Sequence, residues 1–500
     1  MPFYRVIILL LISVLLAACA KPADDVVRFG LTRLPVTLDP RFATDAASSR
    51  VNRLLYQRLV DFDENAIVVP SLATWEFKSP TLCRFHLTKN RNTFINGARL
   101  SASDVKATYD FILDRQNASP HNVSLANINA ITVIDDNIID FELKQPDILF
   151  PGRLLIGILP ETLIKSGHAF NRSPVGSGSF EIVDWQGDTV LRLKRQSDQQ
   201  LIEFVAVPDP TVRVLKLLRG EIDMLQNDLP PEMVRYLEQG KDVTVTRQAG
   251  SNFAYLGFNL TDIVTGQREI RTAIAYALNR QAIITYVLGN SARVANSILP
   301  PNHWAGHRNL VSYPYDPAHA RAIMKSLGYS QNEPLHLTYK TSSDPFRLRL
   351  ATIIQQQLAE VGIDVALQSY DWGTFYGDIK NGNFQMYSLM WVGIKLPDIF
   401  RYAFHSESIP PNGANRGRLN DAFVDDLINA AEQAQTIAEQ ATGYRALQSY
   451  LLEQLPYVPL WYEDNVFVSR KSIAGYQIAN DGNYDGLELV NSHSGGAGND

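Results

Sequence analysis

At 500 residues the chain is too long for one hydrophobic core and should divide into two or three domains. Its composition, 45% hydrophobic and 20% charged, is that of a soluble globular protein. A formal net charge of -6, with no run of five like charges, excludes an electrostatic footprint for nucleic acid or an acidic membrane surface.

The N-terminus, MPFYRVIILLLISVLLAACAK, places Arg5 ahead of an apolar run from Val6 to Ala18. That run is shorter than the roughly 20 residues that span a bilayer and suits the central region of a signal peptide. It ends in Leu16-Ala17-Ala18-Cys19, which resembles a bacterial lipobox: small residues admit the signal peptidase, and the cysteine thiol then receives a diacylglycerol. The reading is a signal peptide over 1–18 and a lipidated Cys19 opening a short tether over 19–22. Acyl chains there would hold the mature protein at a membrane face, at about 0.8 kcal/mol per buried methylene. The alternative is an ordinary cleaved signal with an incidental cysteine. The other cysteine, Cys83, alternates with Arg84 and His86 as on a half-buried strand and reads as a small core hydrophobe.

Further along, strand-like and helix-like segments alternate, which points to α/β layers. SASDVKATYDFILDR predicts a helix, with Ser101 three before Asp104 and Val105, Tyr109 and Ile112 on one face. REIRTAIAYALNRQAIITYVL predicts a second, and YDPAHARAIMKSLGY a third, capped by Asp316, with Pro317 in its first turn and Gly328 past its end. Then come a helix from Arg349 to Val361 stopped by Gly362, a strand in IDVALQSY, a short helix after Trp372, a turn at Asn381-Gly382 and a strand in FQMYSLMWV. Strand, helix, strand implies a parallel crossover. WVGIKLPDIF, Trp391 to Phe400, would then lie at the carboxyl end of a parallel strand, where open α/β sheets place their ligands. A buried loop packed by Trp391 is the competing reading.

Catalytic signatures are missing. The sequence contains no G-x-S-x-G, no G-x-x-x-x-G-K, no H-E-x-x-H and no paired C-x-x-C. His303 and His307 in HWAGH have the spacing of a helical metal pair, but Pro300, Pro301 and Gly306 argue against a helix, so no metal and no other cofactor is expected.

The blocks LDPRFATDAASSRVNRLLYQRLVDFDENAIVVPSLATWEF, FHLTKNRNTFINGARLSASDVKATYDFILD, SPVGSGSFEIVDW, YLGFNL, IRTAIAYALNRQAI and YPYDPAHARAIMKSLGY occur in an order and spacing similar to the family 5, dipeptide, oligopeptide and nickel type, solute-binding proteins of bacterial ABC importers. The resemblance implies an α/β, two-lobed periplasmic-binding-protein fold of type II, in its three-domain peptide-binding variant, with mixed sheets and a hinge. It implies a first domain over 23–58, 172–258 and 468–490, a second inserted over 59–171, and a third over 259–467; residues 491–500 are expected to be a disordered tail.

The same resemblance carries site residues over one at a time. Trp372 matches a cavity tryptophan. Trp391, Val392 and Gly393 match a backbone edge that pairs with an extended peptide. Thr44, Asp45 and Ala46 match the opposite wall, and His121 a contact from the second domain. One position departs from the pattern: peptide-binding relatives hold an aspartate for the ligand's α-ammonium three residues after the strand-end tryptophan, and here that residue is Ile394. Isoleucine leaves a buried ammonium without a partner. Asp398 is the candidate substitute, and Arg349 is a candidate for a ligand carboxylate. The expected function is capture of a peptide or peptide-like solute by a monomeric lipoprotein of the periplasm or cell envelope, which serves an ABC transporter permease. A receptor or regulator on the same fold and a secreted hydrolase are the alternatives.

Overall fold

Apolar and polar side chains alternate along strands such as Val190–Arg195 and Leu335–Ser342, and eleven strands assemble into one mixed sheet. The structure, a computed structural model, describes residues 26–88 and 93–492; the signal peptide, Cys19 and residues 493–500 lie outside the described residues. In chain order the sheet contains β1 (Val26–Leu31), β2 (Phe180–Gln186), β3 (Val190–Arg195), β4 (Leu201–Ala206), β5 (Met224–Gln226), β6 (Val243–Phe258), β7 (Leu335–Ser342), β8 (Ile363–Tyr370), β9 (Met386–Trp391) and β10 (Tyr457–Arg470). Their spatial order is β8-β7-β9-β6-β10-β5-β1-β4-β3-β2, and the short strand Ala292–Val294 pairs with β10 off this path.

Buried side chains divide this sheet between two lobes. One lobe holds a core in which Val27, Phe29 and Phe204 meet Phe467, Tyr484, Leu487 and Val490 from the far end of the chain. Beside it, an inserted core runs from Leu59 to Ile158 around a four-stranded antiparallel sheet and the helix Ala102–Leu113. Asp104 holds the start of that helix, its carboxylate accepting from the Ser101 backbone N–H at 2.7 Å. Cys83 is fully buried in this core, and burial pushes its thiol up to about 12, which makes it inert. The other lobe has cores built from residues between Phe253 and Tyr462.

Leu159 and Phe170, within the expected insertion 59–171, pack in the first core. Two strands carry the chain between the lobes. β6 and β10 are antiparallel neighbours from Val243↔Arg470 to Gly257↔Tyr457, with a break in register between Gln248 and Asn252, opposite Asn465 and Glu463. Val243 packs in the first lobe, whereas Phe253 to Phe258 pack in the second. The crossing therefore lies at 248–252 and 463–465, ahead of the expected boundaries at 258 and 467. Gly250 sits in the break, where a Cβ would lie 2.2 Å from the Glu463 carbonyl oxygen. Only glycine fits so close an approach.

Local capping explains the elements around the site. Asp45 caps α1 (Ala46–Leu55), accepting from the Ser48 N–H at 2.9 Å. α2 (Pro345–Ala359) starts before the expected Arg349 because Asp344 caps it and Pro345 suits the first turn; Gly362, at φ +83°, turns the chain into β8. Asp371 caps α3 (Trp372–Asn381), and Gly382, at φ +79°, ends it. The helix expected across 268–288 is broken: Arg268–Ala277 ends at an extended Leu278, and Asn279 caps a new turn through the Ala282 N–H.

β9 then enters between β7 and β6 rather than beside β8. It is parallel to β7 at Tyr339↔Met386 and Lys340↔Tyr387, and antiparallel to β6 from Phe258↔Met386 to Phe253↔Trp391. Trp391 is its last residue, so WVGIKLPDIF begins at the carboxyl end of a strand in a parallel unit. At the C-terminus, Asn491 and Ser492 pair with Ile473 and Ala474, so the tail expected from 491 is paired at its first two positions.

Candidate functional site

A cavity of about 580 Å³ lies between the lobes. The first lobe contributes Arg53, the hairpin Phe62–Ala66 and the return segment Tyr476–Asp481; the crossing contributes Gln248–Ser251; the second lobe contributes Arg293, Asn302, His303, Ile394 and Lys395. Both lobes and the hinge thus border one space.

Its basic side chains are each paired with a carboxylate. Arg53 reaches Asp61 at 2.6 Å and Asp485 at 2.7 Å. Lys395 reaches Asp481 at 2.5 Å, joining the WVGIKLPDIF loop to the return segment. Burial works to raise the Asp481 carboxyl, but the Lys395 ammonium, the Asn483 N–H and Arg53 together outweigh it and hold the group below its ordinary range. Arg293 pins the crossing, bonding Asp464 at 3.0 Å and the Gly250 carbonyl at 2.5 Å.

His303 is neutral and committed to the fold. Its Nδ1 accepts from the Ala305 N–H at 3.0 Å, so Nε2 carries the proton and donates to the Lys395 carbonyl at 3.1 Å. Burial pushes this imidazole down to about 4. No cluster of three metal-ligating side chains occurs among the described residues.

The lobes touch across the cleft. Arg153, from the insertion, donates to Asp398 of the second lobe at 2.7 Å and to Asp147 at 2.8 Å. The Trp304 N–H donates to the Asn65 carbonyl at 3.1 Å.

The residues singled out from the sequence fall into separate groups. Ile394 lines the interlobe cavity as an apolar wall. Trp391 is half-buried over the second-lobe core, with the Arg416 guanidinium carbon 4.5 Å from its ring centroid. Val392 and Gly393 follow, both exposed, Gly393 at φ +71°. The β7 ladder stops at Tyr387, so from Ser388 onward one backbone edge of β9 has no strand partner among the described residues. Trp372 is 59% exposed and stacks on Tyr376 at 5.4 Å. The Tyr376 hydroxyl accepts from Arg416 at 3.2 Å, so Arg416 links Trp372 and Trp391 into one aromatic surface.

On the first lobe, His121 Nε2 donates to the Ala43 carbonyl at 3.1 Å, which brings His121 against Thr44, Asp45 and Ala46. Burial lowers the His121 imidazole. Asp45 is spent on capping α1, while Thr44 and Ala46 are exposed. None of these four lines the interlobe cavity. Asp398 is engaged by Arg153 and is not a spare carboxylate. Arg349 pairs with Glu232 at 3.8 Å and lines no part of the cavity.

Sequence reasoning missed Arg416, Arg153, the hairpin Phe62–Ala66 and the return segment. Their roles come from contacts between distant parts of the chain, for which a single sequence offers no local signal. Lys395 was visible only as an isolated lysine among aliphatics.

Two α/β lobes joined by paired strands, with a cavity at the hinge, define a periplasmic-binding-protein fold, the architecture of extracytoplasmic solute receptors. A family model described as bacterial extracellular solute-binding proteins, family 5, middle, matches residues 68–409. The chain belongs to that family, whose members capture solutes for ABC import and are not enzymes. It is 26% identical over 487 residues to a dipeptide-binding protein of Pseudomonas aeruginosa, covering 89% of this chain and 91% of that one. It is 26% identical over 493 residues to the glutathione-binding protein GsiB of Shigella dysenteriae, covering 94% and 95%. Among solved structures, NikA from Brucella suis in complex with Fe(III)-EDTA superposes with a TM-score of 0.85 at 20% identity, covering 94% of this chain and all of that one. No helix of the described residues is long and apolar enough to cross a membrane.

Proposed function

We propose that the chain is a lipid-anchored, monomeric receptor that captures a peptide or peptide-like solute between its lobes and delivers it to an ABC permease. The observation that carries this is the cavity shared by both lobes and the hinge, next to a strand whose backbone edge is unpaired from Ser388 onward. An extended solute can add to that edge through main-chain hydrogen bonds while Trp391 packs its side chains. Relatives named for dipeptides and glutathione support the solute class.

The domain frame proposed here is a first domain split around an insertion, with a third domain beyond the crossing strands. Thr44 to Ala46 and His121 on the first lobe, and Trp372, Trp391, Val392 and Gly393 on the second, are proposed as contacts for parts of the solute that extend beyond the interlobe cavity, which none of them lines. Ile394 supplies an apolar surface where an ammonium would need a carboxylate, and Asp398 is already spent on Arg153. The favoured solute is therefore N-blocked, cyclic or not a peptide. Native mass spectrometry of the purified protein should find such a solute bound, and a deletion strain should fail to take it up. An empty protein, together with unchanged uptake of every compound tested, would overturn the transport reading.

A further inference from the structure

We infer that Arg416 anchors a carboxylate of the solute, an inference that rests on the solute-capture reading above. The other buried arginines among the described residues bond carboxylates, as Arg41 bonds Asp39 and Arg195 bonds Asp198, or backbone carbonyls. Arg271 spends its guanidinium on the backbone carbonyls of Leu455, Thr265, Gly266 and Gln454, and Arg213 likewise bonds carbonyls, including that of Val207. These hold the fold, because carbonyl oxygens absorb every branch of the fork.

Arg416 differs. It is 9% exposed, yet among the described residues it has neither a carboxylate nor a carbonyl partner for its side chain. Its bonds go to two neutral phenols, Tyr255 at 3.1 Å and Tyr376 at 3.2 Å, and its face lies on Trp391. A guanidinium has five N–H donors. No Arg416 nitrogen is both buried and unpartnered, so Nε, which bonds neither phenol, opens onto accessible space. A cation desolvated to this degree is costly without an anion.

The surroundings suit a carboxylate. A small cavity of about 20 Å³ lies against Arg416, Trp391 and Tyr387, large enough for one water-sized group. The planar fork matches carboxylate geometry, and the loop is fixed in advance: the Asn415 side chain bonds the carbonyls of His405 at 3.0 Å and Leu419 at 2.8 Å. The open edge of β9 ends at Trp391, beside this cation. A solute laid along that edge meets a positive pole at Arg416 and only an apolar wall at Ile394, so the site selects acids without a free amine.

The test uses the full mature protein and two pools of N-acetylated tripeptides, one of C-terminal acids and one of C-terminal amides, with capture read by native mass spectrometry. Wild type should hold the acid pool at least about tenfold better, as a lost charge-assisted bond implies. Arg416→Gln should erase that preference. Should Arg416→Gln fail to fold, the Arg416→Lys protein decides, since a reduced acid-to-amide ratio supports the anchor and an unchanged one overturns it. Equal capture of both pools by wild type, or an undiminished preference in Arg416→Gln, overturns the anchor but leaves solute capture standing. Capture of neither pool also overturns the anchor, while solute capture stands or falls on the uptake test above.

Discussion

Replacing Asp398 with asparagine removes the carboxylate that Arg153 holds across the cleft at 2.7 Å while keeping its shape and one acceptor oxygen. The Asp398 side chain is 40% exposed, so water and salt screen the pair heavily. Exposed pairs contribute about 0.2–1 kcal/mol, and this one belongs in the upper half because Asp147 already orients the guanidinium. A loss of about 0.5–1 kcal/mol from the closed arrangement alone changes the closed-to-open ratio roughly two- to fivefold. Where solute binds the closed form, apparent affinity falls by a similar factor. Small-angle scattering without solute, calorimetry with it, and a salt series on both should show this. Arg153→Gln should reproduce the effect, and the double variant should add nothing. An affinity loss well beyond tenfold with unchanged dimensions would refute the reasoning, because Asp398 would then be touching the solute itself.

Five other outcomes are expected. Trp391→Ala should weaken solute binding by about 2 kcal/mol, whereas Ile394→Asp should lower affinity for an acetylated peptide and raise it for the free amine; calorimetry on such a pair checks both. Gly250→Ala should lower the thermal midpoint and alter closure, since the added methyl meets the Glu463 carbonyl, and scattering alongside a melt reads both effects. His303, with a folded-state value of about 4 against an ordinary 6.5, contributes stability that is whole above pH 6.5 and drains away as pH falls towards 4. Denaturant titrations should therefore show wild type losing about 3 kcal/mol more than His303→Gln over that range. Cys19→Ser should release the protein from the membrane fraction or leave its leader uncleaved, and identical partitioning of mutant and wild type would remove the lipid anchor from the proposal.

Much of the fold was legible because local chemistry fixed it. Asp316, Pro317 and Gly328 bracket their helix as the sequence suggests, and the turn at Gly382 and strand IDVALQSY fall in place. The helix across 268–288 was misjudged because its apolar spacing runs on through Leu278 and Asn279, where the backbone leaves the helical conformation. The point at which the chain passes between the lobes was not legible for a related reason: β6 and β10 keep one strand pattern through the crossing, and only tertiary packing divides them. At the site, the strand-end position of Trp391 could be read from element order. Arg153 and Asp398, 245 residues apart in the chain, could not be paired from it.

The core that opens with Val27 and Phe29 is completed by Phe467, Tyr484, Leu487 and Val490. During synthesis, or emergence from a membrane pore, the first lobe must wait for nearly the whole chain before its sheet gains β10 and its core is sealed. Contacts of such long sequence separation make folding slow, because loop closure precedes its reward. The second lobe, whose cores draw only on residues between Phe253 and Tyr462, has everything it needs earlier. The core that begins the chain should therefore be the last to close, and a truncation just after Arg470 should yield a protein with an ordered second lobe and an unsealed first core.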